Sequence, residues 1–345
     1  MSEPVSGTVG VAVVGAGFMG GVHAAVLTED PRARVRWIVD LDERAGGQLA
    51  AQMDARATTR LSEALADDEV RLVVVSTPVT THHPVALEAI AAGRHVLVEK
   101  PLVMRPDHAR ELVAAAKAKG VLLGFGGNFV HAPKFRRAKE LVADRTALGT
   151  LHAVRVVYRT SGPDSEWPRN RALAGGGACT DIGWHAIELC SWLLGEPRIE
   201  AVTAATQNIT GVGDVEEQGV MLLHFEGGAV GQCDVSWLCP GGEQLTVEVL
   251  GTEGRVSVDF WQGMGITAFT TNKFAEVWEP NQGWAFPEWE WIRNSGYVQQ
   301  DRSFVDAIVN GEPLGRAADS AIPIVSALDA VYRSAAEGRK IEIHD

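Results

Sequence analysis

Val11-Ala12-Val13-Val14-Gly15-Ala16-Gly17-Phe18-Met19-Gly20 decides how the first third of this chain folds. An apolar run entering glycines spaced Gly-x-Gly-x-x-Gly reads as a buried strand, a tight turn and the start of a helix. Each glycine has its own reason: Gly15 for the turn, Gly17 for close backbone approach to a pyrophosphate, Gly20 for packing helix on strand. The helix opening at Phe18 and Met19 offers backbone N–H groups and its positive dipole end to phosphates. With 37 glycines in 345 residues the spacing alone is weak, and its place between strand and helix is what strengthens it. Asp40 ends the next strand about 20 residues beyond Gly20, where a carboxylate accepts hydrogen bonds from the adenosine ribose. Leu41 and Asp42 follow with no cation for a 2′-phosphate, which favours NAD; Arg44 keeps NADP as the lesser alternative.

Working outward, residues 1–126 alternate apolar runs with amphipathic segments. The spacing predicts strands at 9–14, 35–40, 72–76, 96–99 and 121–124, with helices at 45–53, 84–92 and 108–119. That is a doubly wound parallel sheet with crossover helices, and Gly93 and Gly120 stand where helix C-caps belong. Residues 128–148 read as one further helix. After it the pattern becomes strands joined by short turns, at 154–158, 201–205, 220–225, 230–237, 245–250 and 255–258, closed by two helices at 300–310 and 319–337. The expectation is therefore an α/β nucleotide-binding domain at 1–126 and a mostly antiparallel α+β domain at 127–345. Strand 220–225 is apolar on both faces apart from His224, so helices are expected on one side and a second subunit on the other, as in a homodimer or homotetramer.

A chain of 345 residues exceeds the size at which single cores stop growing, in keeping with two domains. Its apolar fraction of 46% and charged fraction of 22% are those of a soluble globular protein, and no apolar run reaches the roughly 20 residues of a membrane span. Met1-Ser2-Glu3-Pro4 lacks the basic and apolar parts of a signal peptide. Cys179, Cys190, Cys233 and Cys239 have neither metal-ligand spacing nor disulfide density, so a reducing cytoplasm is expected. A net charge of −13 argues against nucleic-acid and anionic-membrane partners.

Three further motifs carry chemistry. Val73-Val74-Val75-Ser76-Thr77-Pro78 with His82, then Glu99-Lys100-Pro101, then Gly175-Gly176-Gly177-Ala178-Cys179-Thr180-Asp181-Ile182-Gly183-Trp184-His185 together resemble the glucose-fructose oxidoreductase, inositol dehydrogenase and MocA (Gfo/Idh/MocA) family over nearly the whole chain. The resemblance implies a Rossmann domain binding NAD through Gly15, Gly17, Gly20 and Asp40. It implies Thr77, Pro78, His82 and Glu99 along the cofactor, and Lys100, Asp181 and His185 as the catalytic trio acting on a sugar or polyol. On a helix Asp181, His185 and Glu188 share a narrow arc opposite Ile182, Ala186, Leu189, Cys190 and Leu193, so a polar face opposite a buried one is expected.

An imidazole with an ordinary pKa of about 6.5 suits removal of a hydroxyl proton as hydride leaves, and a carboxylate supports the imidazolium. Lys100 would stabilise the developing alkoxide, or act as the base itself if burial lowers its pKa. A cis Lys100–Pro101 bond is one way to aim the lysine, trans being the commoner state. Asn128 stands where many members carry arginine, implying a neutral substrate contact. Trp167 lies in a loop at 160–177 expected to reach over the site, with Arg169 and Arg171 read as solvated rather than binding an acid sugar. Trp261, Trp278, Trp284, Trp289 and Trp291 read as packing more than sugar stacking. The leading reading is NAD-dependent oxidation of a secondary hydroxyl of a sugar, cyclitol or sugar derivative. The alternatives are NAD-dependent glycoside cleavage through transient oxidation at C3 and a non-catalytic nucleotide-sensing regulator.

Overall fold

The computed structural model describes residues 8–239, 242–261, 266–270 and 291–344. The chain divides into two compact units, Met1–His131 with Ser295–Val325, and Ala132–Asn294 with Ser326–Asp345. The first unit contains β1 (Val9–Val14), α1 (Phe18–Thr28), β2 (Ala33–Val39), α2 (Glu43–Gln52), β3 (Arg56–Thr58), α3 (Leu61–Leu65), β4 (Val70–Val75), α4 (His82–Ala91), β5 (His95–Val98), α5 (Pro106–Lys119), β6 (Leu123–Phe125) and α6 (Asn128–His131). Its six strands run in the order β3-β2-β1-β4-β5-β6 with parallel pairing throughout, the doubly wound arrangement the glycine loop foretells. β1 is buried at every position because helices cover both faces of the sheet. Gly120 ends α5 in the left-handed conformation at φ 68°, and Gly93 takes φ 74° after α4, as their positions predict.

The second unit follows with α7 (Pro133–Ala143), α8 (Arg145–Leu148), β7 (Leu151–Arg159), α9 (Arg171–Ala174), α10 (Ala178–Asp181), α11 (Gly183–Leu194), β8 (Ile199–Gln207), β9 (Gln218–Phe225), β10 (Val230–Ser236), β11 (Gln244–Gly251), β12 (Gly254–Asp259), β13 (Ile266–Thr270) and α12 (Trp291–Asn294). Then α13 (Tyr297–Asn310) returns to the first unit, α14 (Ile322–Glu337) crosses to the second, and β14 (Ile341–Glu342) ends the chain. The eight strands of the second unit run β13-β12-β11-β7-β10-β9-β8-β14, antiparallel except for β7 with β10. α11 lies on β7 and β10.

Three expectations are corrected. Residues 127–345 are not one unit, because α13 sends Phe304, Val305 and Ile308 into the apolar cluster of Val9, Val11 and Val13. Residues 128–148 are not one helix. Ala132, preceding Pro133, is forced to extended backbone at ψ 134°, and Asp144 leaves the helical region to accept from Ala147 N–H at 3.1 Å. The polar arc of Asp181, His185 and Glu188 is not a solvated face either, since His185 and Glu188 are buried with every α11 residue but Trp192, and Asp181, at the end of α10, is half-buried. Trp278, Trp284 and Trp289 lie outside the described residues.

Two glycines separate a packing requirement from a mere preference. A Cβ at Gly20 would overlap the Gly15 carbonyl oxygen and press on Ser76 Oγ, whereas one at Gly47, inside α2, meets nothing within 4 Å. Gly20→Ala should therefore destabilise by upwards of about 2 kcal/mol. Gly47→Ala should stabilise by about 0.5–1 kcal/mol through helix propensity, both read from urea unfolding midpoints.

Candidate functional site

In the first unit the loops after β1, β2, β4 and β5 bring Gly15, Asp40, Thr77 and Lys100 to the carboxyl ends of adjacent parallel strands. Gly15 adopts φ 101° and lies so close to Ser76 that a Cβ would stand 2.6 Å from its carbonyl oxygen. Gly17 is the opposite case: it precedes α1 with extended backbone and no side-chain cap, and a Cβ there would enter open space. That open cradle at a helix N-terminus is what a pyrophosphate needs, so these residues fit an NAD phosphate. Asp40 Oδ2 accepts from Ala16 N–H at 2.6 Å and Oδ1 from Asp42 N–H at 2.8 Å, holding the carboxylate beside the glycine loop. Phe18 and Leu41 are exposed, Met19 is half-buried, and Asp42 caps α2 through Arg44 and Ala45 N–H groups.

Thr77 and Pro78 are half-buried on the rim, but His82 and Glu99 are not surface ligands. His82 is buried, with Nδ1 2.8 Å from the Pro101 carbonyl oxygen and Nε2 2.9 Å from that of Thr77, so it braces the ends of β4 and β5. Burial pushes its imidazole down, against the two carbonyls that favour the charged form. Glu99 Oε2 accepts from Lys100 N–H at 2.9 Å, and Oε1 lies 2.9 Å from His23 Nε2; His23 Nδ1 is in turn 2.9 Å from Asp301 Oδ2. Burial works against a charged His23, but Asp301 and then Glu99 override it and push the imidazole up to about 10. Burial likewise opposes the Glu99 charge, and His23 and Lys100 hold it below the usual carboxylate range. The Lys100–Pro101 bond is cis. Asn128, expected at the substrate, is buried and donates to the Ser295 carbonyl at 2.8 Å, tying α6 to the segment before α13.

In the second unit Asp181 ends α10 and His185 lies in the first turn of α11. Ile182 joins the two, with its N–H on the Ala178 carbonyl and its own carbonyl accepting from Ala186 N–H. Asp181 Oδ2 accepts from Trp237 Nε1 at 3.1 Å, and Tyr158 lies tilted against the buried His185 ring at 6.3 Å. Burial, with Glu243 and Asp181 nearby, pushes the Tyr158 phenol above its usual range. Burial and Asp181 raise Glu243. Trp167 is 44% exposed on a short 3₁₀ turn. Arg169 and Arg171 are not simply solvated. Arg169 pairs with Glu217 at 3.5 Å and covers the Trp237 ring, while Arg171 donates to the Asp214 carbonyl at 3.1 Å.

The segment carrying Asp181 is held by residues the sequence reading passed over. Glu216 Oε1 accepts from Gly177 N–H at 2.9 Å, Cys179 N–H at 3.0 Å and Tyr332 Oη at 2.8 Å. Tyr332 donates there, so the Thr180 hydroxyl, 2.6 Å away, donates to Tyr332. Burial, then the Glu216 charge, pushes Tyr332 well above the usual phenol range, which keeps it a donor. Glu216 carried no spacing signal. Trp237 stood at the end of an expected strand, and only its place beside β10 in the fold shows that it reaches Asp181. Glu216→Ala would strand two backbone N–H groups and one phenol, each worth about 1–3 kcal/mol when buried. A loss of about 3 kcal/mol or more in denaturant unfolding is expected, with Glu216→Gln retaining part of it.

Residues 9–126 match the family described as an oxidoreductase family with an NAD-binding Rossmann fold, and residues 135–257 match its GFO/IDH/MocA C-terminal domain. GenD2 from gentamicin A biosynthesis, solved in complex with NAD, is 64% identical with a TM-score of 0.90, over 100% of this chain and 98% of that one. A 1,5-anhydro-D-fructose reductase of Ensifer adhaerens is 30% identical over 64% of this chain and 71% of its own length. An inositol 2-dehydrogenase of Rubrobacter xylanophilus is 29% identical over 88% of this chain and 84% of its own. Among the described residues no helix is long and apolar enough to cross a membrane, and no group of three or more His, Cys, Asp or Glu could hold a metal. With both halves matched and the glycine loop, Glu99-Lys100-Pro101 and the Asp181–His185 segment all in place, the chain belongs to the Gfo/Idh/MocA family of NAD-binding oxidoreductases.

Proposed function

We propose that this enzyme oxidises a secondary ring hydroxyl of a sugar, cyclitol or sugar derivative to a ketone, and that its substrate is a gentamicin-type aminoglycoside or a precursor of one. The observation that carries this reading is the high identity to GenD2 along the full chain. The relatives named for a cyclitol and an anhydro sugar support the wider substrate class. The glycine loop and Asp40 would hold NAD, whose nicotinamide would supply the hydride acceptor.

The chain's own residues handle the proton. His185 takes the hydroxyl proton, Asp181 supports the imidazolium so formed, and the Lys100 ammonium donates a hydrogen bond to the oxygen as negative charge grows on it. Trp237 fixes the Asp181 carboxylate by its indole N–H. Asp181 is thereby held in one orientation before substrate arrives, which lowers the ordering cost of the reaction.

Lys100→Ala and His185→Ala should each lower turnover by about 10² or more while leaving NAD affinity nearly unchanged. Asp181→Asn should cost less and shift the pH profile. The double Lys100→Ala, His185→Ala variant should be only modestly worse than either single change, because groups acting on one transition state are not additive. NADH formation is to be followed with a panel of aminoglycosides, sugars, cyclitols and glycosides. Stoichiometric NADH with an aminoglycoside supports the reading. Turnover confined to other polyols removes the aminoglycoside, and glycoside cleavage without NADH points to transient oxidation instead.

We also propose a homo-oligomer. Met221 faces Gly183 of α11, so on β9 the alternating Val220, Leu222 and His224 face the other way, and Val220 is 47% exposed. Light scattering at micromolar concentration should give at least a dimer, and Val220→Arg should lower the mass.

A further inference from the structure

Behind Lys100 lies a buried ionic triad that the proposed chemistry does not use. His23, in the second turn of α1, is fully enclosed. Its two ring nitrogens meet two different carboxylates, Glu99 at the end of β5 and Asp301 on α13, each at 2.9 Å. A neutral imidazole carries one N–H and can donate to only one carboxylate; while both carboxylates are ionised, both contacts are satisfied only by the imidazolium. The remaining oxygens are also engaged. Glu99 Oε2 accepts from Lys100 N–H, and Asp301 Oδ1 accepts from Gln300 Nε2 at 3.2 Å. Gly126 presses on the other side of Glu99, where a Cβ would stand 3.1 Å from the carboxylate, and Tyr297 meets the imidazole edge-on at 6.2 Å.

We propose that His23 is a positioning residue: a standing imidazolium on the nucleotide-binding helix that holds Glu99 ionised and in place, and through it the backbone and ammonium of Lys100. The two carboxylates and the two cations, His23 and Lys100, sum to zero charge, so removing His23 leaves a net negative site next to the lysine. The titratable groups facing Glu99 are His23, Lys100 and, more remotely, His82; Asp301 acts on it through His23. Without His23, burial favours the protonated Glu99 acid, which no longer holds Lys100 as an ionised acceptor does. The helix that binds the pyrophosphate and the strand end that carries Lys100 would then lose their shared post. This proposal rests on the reading of Lys100 as acting on the substrate.

His23→Gln keeps one donor toward Glu99 and removes the charge. The double His23→Gln, Asp301→Asn variant removes one positive and one negative charge together and serves if the single variant fails to fold. Three measurements are made on the full chain with NAD: ¹⁵N imidazole shifts of His23 at pH 8.5, hydrogen exchange of the Lys100 amide, and the pH profile of kcat for NADH formation. The wild type should show both His23 nitrogens protonated. The variants should exchange the Lys100 amide at least about 10-fold faster, and lose turnover by about 10-fold or more with NAD affinity changed less than about 3-fold. The acid limb of kcat should move up by about one pH unit or more, as Glu99 protonates nearer neutrality. A merely structural role would lower kcat evenly at every pH. A folded variant with an unshifted acid limb and unchanged Lys100 exchange overturns the proposal, as does a neutral His23 in the wild type. Normal turnover of Lys100→Ala would instead remove the chemistry assigned to that lysine, while exchange of its amide in the His23 variants would still test the post.

Discussion

A carboxylate taken out of water must be met by hydrogen-bond donors, and this requirement organises both units around the segments that carry their candidate residues. In the first unit Glu99 is satisfied by the Lys100 N–H and by His23. In the second Glu216 is satisfied by Gly177, Cys179 and Tyr332, at the turn that leads to Asp181. In each case a side chain distant in sequence is joined by backbone N–H groups at or near the functional residue, so the carboxylate holds main chain as well as pairing with a distant group. Such a network is all or nothing. Removing one member exposes the desolvation penalty of the rest, which is why a buried ion pair fixes geometry more dependably than it adds stability.

The glycines serve two ends that look identical in a sequence. At Gly17 a Cβ would meet nothing, and open space at a helix N-terminus is what close approach of a phosphate requires. At Gly176 and Gly177 a Cβ would overlap the Tyr332 hydroxyl and the Glu216 carbonyl oxygen respectively, so these glycines are small because protein already fills the room. The first leaves open space beside a helix N-terminus; the second lets Glu216 and Tyr332 close on the backbone before Asp181. Only the neighbours distinguish them, and those neighbours lie between 39 and 156 positions away, a range no local pattern can reach.

That distance explains what the sequence disclosed and what it concealed. Five of the six strands of the first unit, their parallel arrangement and the C-capping glycines follow from periodicity and from residues adjacent in the chain, and they were legible at once. So were most strands of the second unit, whereas the three-residue β3 of the first unit and the two-residue β14 of the second are too short to show a period. The family motifs marked Lys100, Asp181 and His185. Amphipathicity misled on α11, because its few polar side chains form a narrow arc whether that arc meets water or a buried network. Asn128 was read from the family pattern and Arg169 and Arg171 from their chemistry, and their partners Ser295, Glu217 and Asp214 could not be paired with them without the fold. His23 sat three residues beyond the last glycine of the loop, inside the best-read stretch of the chain, and its meaning still depended on Asp301, 278 residues away.

The return of α13 to the first unit gives that long separation a physical reason. A nucleotide-binding sheet ending at 126 would leave Val9, Val11 and Val13 short of the apolar cover that Phe304, Val305 and Ile308 supply. It would also leave His23 with one carboxylate instead of two. The same helix therefore completes both the hydrophobic layer and the charge balance of the first unit. Gly124 makes the fit possible, since a Cβ there would press within 2.6 Å of the Phe304 ring and against the Arg316 carbonyl. A segment so bound by packing and by ionic contacts is part of the nucleotide-binding unit in every energetic sense, although the chain reaches it only after traversing most of the second unit. Domain boundaries read along a sequence assume that contiguity follows the chain, and here the packing of β1 decides otherwise.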